Sequence, residues 1–271
     1  MTVKLFRSVR VVTPQDPGRP LAGPDQGRVA DWERGALLVR EGRVAAVGSE
    51  EEVLREAQGF DVDQEIFGEG RCLVPGFVDP HTHMCFARRR EKEFGLRLQG
   101  TPYLDILKAG GGILSSVRAV REASDEALYQ TTLAHATSAL RRGSTTVEIK
   151  SGYGLDTATE LRMLQVVRRI ARETPLDVVA TFMGAHAVPE EYRGRGDDFV
   201  ALLVEEMIPA VQEQGIASFC DVFCEEGVFS VPQTRRILEA ARRHGLGLKV
   251  HADEVHDLGG AELAAELGHV L

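Results

Sequence analysis

The sequence predicts an α/β fold in which parallel strands alternate with helices, preceded by a small all-β part. Three observations carry that expectation. From Val74 onward, short apolar runs and helix-period runs follow one another at the spacing of βα units, which place a helix between parallel strands. The first seventy residues lack that rhythm and read as strands and turns. Several later apolar runs end in polar residues able to do chemistry, as in sheets whose functional side chains gather beyond the strands' C-terminal ends. A doubly wound sheet and a closed barrel both satisfy this pattern.

In the N-terminal part, Val3-Lys4-Leu5-Phe6 and Val9-Arg10-Val11-Val12 read as strand. The stretch Gly35 to Gly48 holds two apolar runs joined at Glu41-Gly42, a hairpin signal. The Pro- and Gly-rich segment from Thr13 to Asp31 reads as a loop, and residues 1–72 as part of a small β-sandwich. In residues 73–271 the expected strands are Val74–Asp79, Thr145–Lys150, Asp177–His186, Ser218–Glu225 and Leu246–His251. The expected helices are Ser124–Arg142, Thr157–Glu173, Asp197–Gln214, Pro232–His244 and Gly259–Leu267, with a short one near Pro102–Lys108. Asp156 is a natural N-cap for the second of these, and Gly143 and Gly245 are natural stops. The run His269-Val270-Leu271 opens a sixth strand, so an eight-stranded barrel is incomplete within these 271 residues.

Composition narrows the function. A hydrophobic content of 43% with 27% charged residues is that of a globular protein able to bury a core. The net charge of -9 leaves no basic stripe for nucleic acid. No apolar run approaches the roughly 18 residues of a membrane span, and no long apolar leader opens the chain, so the expectation is a cytoplasmic protein without a membrane partner. Cys72, Cys85, Cys220 and Cys224 form no CxxC pair and read as reduced thiols, the last two as small buried side chains.

Chemistry collects at the strand ends. His81 and His83, two residues apart at the end of an apolar run, project to one side and can share a metal ion. His251 ends another apolar run and is the expected third ligand, since three neutral imidazoles around a metal leave room for water. Glu254, three residues on, is placed to move protons near such a site. Tyr153 and His186 also fall at strand ends, and one of Arg88, Arg89 and Arg90 can clamp a carboxylate in bidentate fashion. Glu148 and Lys150 share a strand face, where an ion pair is expected ahead of a carboxylated, metal-bridging lysine.

The run Val74-Pro75-Gly76-Phe77-Val78-Asp79-Pro80-His81-Thr82-His83 resembles the first-strand motif of the metal-dependent amidohydrolases. Arg90-Glu91-Lys92-Glu93, Gly110-Gly111-Gly112-Ile113-Leu114, Lys150-Ser151-Gly152-Tyr153-Gly154-Leu155, Phe182-Met183-Gly184-Ala185-His186-Ala187 and His251-Ala252-Asp253-Glu254 are similar to the branch of that family that opens the imidazolone ring in histidine degradation. The resemblance implies a (β/α)8 amidohydrolase-type barrel, truncated at its C-terminal side here, with the small β-sandwich part. It implies one zinc or iron ion, divalent or trivalent, on His81, His83 and His251, substrate contacts from Arg90, Tyr153, His186 and Glu254, and catalytic roles for Glu254 and His186. The implied reaction is hydrolysis of the cyclic amide of 4-imidazolone-5-propanoate to N-formimidoyl-L-glutamate, with the metal or His186 steadying the oxyanion, in a homodimer acting on a small molecule. The family's fourth ligand, an aspartate, and a sixth-strand histidine fall beyond Leu271, and Ala87-Arg88-Arg89 departs from the smaller, glycine-containing segment of relatives. The alternatives are a catalytically silent relative and a hydrolase of another cyclic amide.

Overall fold

The computed structural model describes residues 2–268 and 270, apart from 16, 20, 103, 104 and 107–110. The expected helix near Pro102–Lys108 lies mostly outside the described residues, as do His269 and Leu271 of the expected sixth strand. The chain divides into two compact units, residues 1–76 and 77–271.

The first unit is a five-stranded mixed sheet. Strands β1 (Val3–Pro14), β2 (Val29–Arg40) and β3 (Arg43–Ser49) pair antiparallel, while β4 (Gln64–Phe67) and β5 (Cys72–Leu73) pair parallel to β1. The hairpin at Glu41-Gly42 forms as read: φ is 52° and 76°, the two positive values that a tight primed turn requires. Helix α1 (Glu50–Ala57), which the strand-like reading of this region overlooked, buries Val53 and Ala57 with Val3, Leu5, Ala36 and Leu38. Its signal was present in Ser49 and Glu52, which form a reciprocal capping box. Among the described residues the unit holds this one sheet.

The second unit decides between the two architectures the sequence left open. Strands β6 (Phe77–Asp79), β7 (Ser144–Lys150), β8 (Asp177–Ala185), β9 (Phe219–Cys224) and β10 (Gly247–Ala252) are all parallel and lie side by side in sequence order. A doubly wound sheet reverses its strand order at a switch point; a barrel wall does not. Val270 makes a parallel bridge to Leu248, so the next strand pairs where a barrel places it.

Helices fill the crossovers: α2 (Glu91–Leu98), α3 (Ile113–Glu122), α4 (Asp125–Arg141), α5 (Thr157–Glu173), α6 (Gly196–Leu202), α7 (Ile208–Gln214), α8 (Val231–Arg243) and α9 (Gly260–Leu267). Ser124, Asp156 and Ser230 cap α4, α5 and α8 through side-chain oxygens on backbone N–H groups. One helix was expected over Asp197–Gln214; a π turn at Leu203–Met207 divides it, next to Pro209, whose missing N–H cannot join a regular ladder. The core lies between sheet and helices, around Val147, Ile149, Phe182, Val222, Ile170 and Leu238, all essentially inaccessible. The first strand is shorter than read, and β6 leaves Phe77 and Val78 exposed.

Candidate metal centre

His81 and His83 lie just past β6, in a segment that remains tied to β7. The Thr82 hydroxyl donates to the Glu148 carbonyl, and the Lys150 N–H donates to the Thr82 carbonyl at 3.1 Å. That pairing keeps the segment extended, so the two imidazoles share a face although the formal strand has ended. His251, on β10, reaches the same point. The three Nε2 atoms stand 3.2 Å (His81 to His83), 3.3 Å (His83 to His251) and 2.9 Å (His251 to His81) apart.

The Nδ1 of His251 faces Asp221 Oδ1 at 3.0 Å. A carboxylate only accepts, so His251 carries its proton on Nδ1 and turns a lone pair inward at Nε2. His83 is half-buried, and its Nδ1 is buried without a partner among the described residues. Burial, reinforced by the charge of His186, His251, His81 and Lys150, holds the His83 imidazole far below its usual pKa. Burial followed by His251 and Lys150 lowers His81 as well. Three imidazole Nε2 atoms converging within these distances suit one cation, and the group is a geometric candidate for a metal ion.

Beneath the histidines is a buried charge cluster. Lys150 Nζ lies 2.7 Å from Glu148 Oε2 and 2.7 Å from Asp221 Oδ2, and Lys249 Nζ lies 2.6 Å from Glu148 Oε1. Thr181 also donates to Glu148. Lys150 is therefore the ion-paired lysine expected from the strand pattern. Burial raises the pKa of Glu148 and Asp221, but the lysines, with Thr181 at Glu148 and His251 at Asp221, bring both below the usual carboxylate range. Sequence reading passed over Asp221. Its signal was a lone acid inside the apolar run Phe219-Cys220-Asp221-Val222-Phe223-Cys224.

His186 is buried at the end of β8, with its ring stacked 5.0 Å from that of His83 and tilted against that of Tyr153 at 5.1 Å. Its Nδ1 donates to the Gly152 carbonyl at 2.9 Å, and burial pushes its pKa down to about 4. The neutral ring thus presents an acceptor at Nε2, which suits a ligand N–H rather than the oxyanion expected from the resemblance. Tyr153 is buried beside both histidines. Its loop is held by Glu160, which accepts the N–H groups of Gly152, Gly154 and Leu155.

Arg90 precedes α2, lies 3.6 Å from Glu93 and contributes to lowering the His186 pKa, which puts it within electrostatic reach of the site. Glu254 is exposed on the loop after β10 and forms no hydrogen bond or ion pair among the described residues. Its loop is ordered by Glu225, which accepts the N–H groups of Val255 and His256. Cys85 is buried, hydrogen-bonded to Thr132, and stands apart from the histidine group. Cys220 and Cys224 are buried as read. His135 anchors the segment after His83 through the Met84 carbonyl at 3.0 Å.

A parallel sheet in barrel order, with three imidazoles converging beyond its strands, defines the class of metal-dependent barrel hydrolases. The family model described as "Amidohydrolase family" matches residues 72–269, and the chain belongs to that family. It is 60% identical over 267 residues to an imidazolonepropionase of Syntrophobacter fumaroxidans, covering 98% of this chain and 63% of the relative. It is 58% identical over 268 residues to an imidazolonepropionase of Desulfotalea psychrophila, covering 99% and 65%. The chain therefore spans less than two thirds of the length of these relatives.

Solved structures share the fold. An E. coli guanine deaminase superimposes with a TM-score of 0.62 at 15% identity, covering 93% of this chain and 52% of that one. An N-isopropylammelide isopropylaminohydrolase of Burkholderia multivorans gives 0.62 at 21%, covering 100% and 60%. No helix among the described residues is long and apolar enough to cross a membrane.

Proposed function

We propose that this chain carries the metal-binding centre and the principal substrate contacts of an imidazolonepropionase, which hydrolyses 4-imidazolone-5-propanoate to N-formimidoyl-L-glutamate in histidine degradation. The convergence of His81, His83 and His251 Nε2 within 3.3 Å carries the reading, and the 58–60% identity to imidazolonepropionases supplies the substrate. The three histidines would hold one zinc or iron ion. Such an ion supplies Lewis acidity, which brings the pKa of water from about 16 toward about 7 and polarises a carbonyl.

The protein's own groups do the rest. Arg90 clamps the propanoate and fixes the ring over the histidines. Tyr153 packs against the ring's approach, and the acceptor Nε2 of His186 takes a ring N–H, which selects a heterocycle over a carbocycle. Glu254, reaching in from its exposed loop, takes a proton from the attacking water and returns it to the ring nitrogen as the amide C–N bond breaks. One water is consumed: its oxygen stays on the carbonyl carbon, and the released nitrogen keeps a proton.

The relatives' additional length is proposed to supply the remaining barrel strands, which would cover Phe77 and Val78 at the β6 edge, a fourth metal ligand, and a second layer on the N-terminal sheet. A cytoplasmic homodimer without nucleic-acid or membrane partners completes the proposal.

The test is the decay of imidazolone ultraviolet absorbance with the metal-loaded full chain. Decay that Arg90→Ala slows at least tenfold at low substrate, and Arg88→Ala leaves unchanged, supports the reading. Constant absorbance with a metal-loaded protein of the relatives' full length that contains these residues overturns it.

A further inference from the structure

The polar cluster under the histidines returns on itself. His251 on β10 is bonded to Asp221 on β9, Asp221 is paired to Lys150 on β7, Lys150 to Glu148 on the same strand, and Glu148 to Lys249, again on β10. Lys249 and His251 are two residues apart and project to one face of their strand. The same short piece of β10 is thus held twice, once at the His251 imidazole and once at the Lys249 ammonium two positions earlier.

Three features separate this cluster from ordinary core packing. Lys150 is 1% exposed, so its ammonium depends on the two carboxylates it touches. Both oxygens of Asp221 are committed, one to Lys150 and one to His251, so the carboxylate cannot rotate without breaking a contact. Two lysines offset two acids, so His251 need not carry charge. Apolar residues of similar volume would fill such an interior with equal or greater stability. What they could not supply is an oriented acceptor for His251 Nδ1.

We propose that Lys150 is a positioning residue that, by clamping Asp221, locks His251 in its Nδ1–H tautomer and so sets the metal affinity of the three-histidine site. The inference rests on the metal reading of those histidines. Its chemistry is directional. In an Asp221→Asn chain, Lys150 draws the amide oxygen toward itself and leaves the amide NH2 facing His251 Nδ1. The imidazole must then accept there, and its proton moves to Nε2, where a ligand lone pair is needed. Removing Lys150 as well frees the amide to turn its oxygen back to His251, while Glu148 and Lys249 stay paired.

The experiment uses the full chain, stripped of metal, in three forms: wild type, Asp221→Asn, and Asp221→Asn with Lys150→Met. Zinc affinity is read by competition with a chromophoric chelator, and the His251 tautomer by 15N imidazole shifts in the zinc-free chain. The expected result is zinc binding 10–100-fold weaker for Asp221→Asn, with Nε2–H at His251, and recovery of at least fivefold with the Nδ1–H form in the double variant. Zinc binding by Asp221→Asn within threefold of wild type overturns the proposal, as does a double variant no better than the single one. A wild type that binds no zinc refutes the metal reading instead; the tautomer measurement in the zinc-free chain then still decides whether the clamp exists.

Discussion

The carboxylate of Glu160 accepts the backbone N–H of Gly154 at 2.7 Å, and in doing so fixes the loop that carries Tyr153. The same carboxylate takes Gly152 and Leu155, and Arg121 binds the Gly154 carbonyl at 2.7 Å from the opposite side. Gly152 in turn offers its carbonyl to His186. One fully buried acid at the start of α5 therefore sets two site residues at once.

Glu160→Ala is expected to leave three buried N–H groups without an acceptor and to lower stability by about 2–4 kcal/mol. Urea unfolding followed by far-ultraviolet circular dichroism measures the loss. A change under about 0.5 kcal/mol would mean that the loop holds itself.

Gly152→Ala tests the same loop from the backbone. Gly152 has φ 104°, and an added Cβ would stand 2.9 Å from the Met183 carbonyl oxygen and 3.0 Å from His186 Nδ1. A conformation that L residues rarely adopt, combined with that collision, is expected to cost about 2 kcal/mol or more. It should also displace His186, so kcat/KM for imidazolone hydrolysis is expected to fall more than tenfold while zinc affinity changes little. Unaltered kinetics would detach His186 from the reaction.

Metal removal gives a third expectation. A ligand that binds only the folded chain stabilises it by mass action, so zinc at a hundred times its Kd adds about 2.7 kcal/mol. Thermal melting of the zinc-loaded chain should fall on dialysis against a chelator and recover on re-addition. His83→Ala should abolish the difference. A melting curve indifferent to zinc would deny the site.

The fourth concerns pH. Burial works against ionised Glu225, yet the N–H groups of Val255, Glu226 and His256 and the His256 ring hold its carboxyl well below the usual carboxylate range. A depressed folded-state pKa contributes stability above the unfolded value of about 4.5, and that contribution disappears as pH falls through the folded value. The urea midpoint of the wild type should therefore drop more steeply than that of Glu225→Gln between about pH 4.5 and about pH 2. Parallel curves would show that Glu225 is not the group responsible.

Much of this was legible in the residues themselves. The alternation of apolar and helix-period runs placed β7 to β10 and the helices α4, α5, α8 and α9 within a residue or two. The histidine pair after the first strand and the histidine of β10 were visible as imidazoles at strand ends, because period-two geometry is local. Helix α2 was not read because it carries no buried stripe: it buries none of its residues and leaves Phe94, Leu96 and Leu98 exposed.

The sequence by itself determined the element types, the α/β rhythm and the residues able to bind a metal, because period, capping and side-chain chemistry are written within a few residues. Tertiary structure alone decided the rest. Parallel pairing in chain order, which no local pattern encodes, chose a barrel wall over a doubly wound sheet and brought His251 within 2.9 Å of His81 across 170 positions. It also gave Asp221, a lone acid in an apolar run, its meaning. A buried carboxylate is costly until a cation and an imidazole from neighbouring strands reach it, and those partners exist only once the sheet has formed.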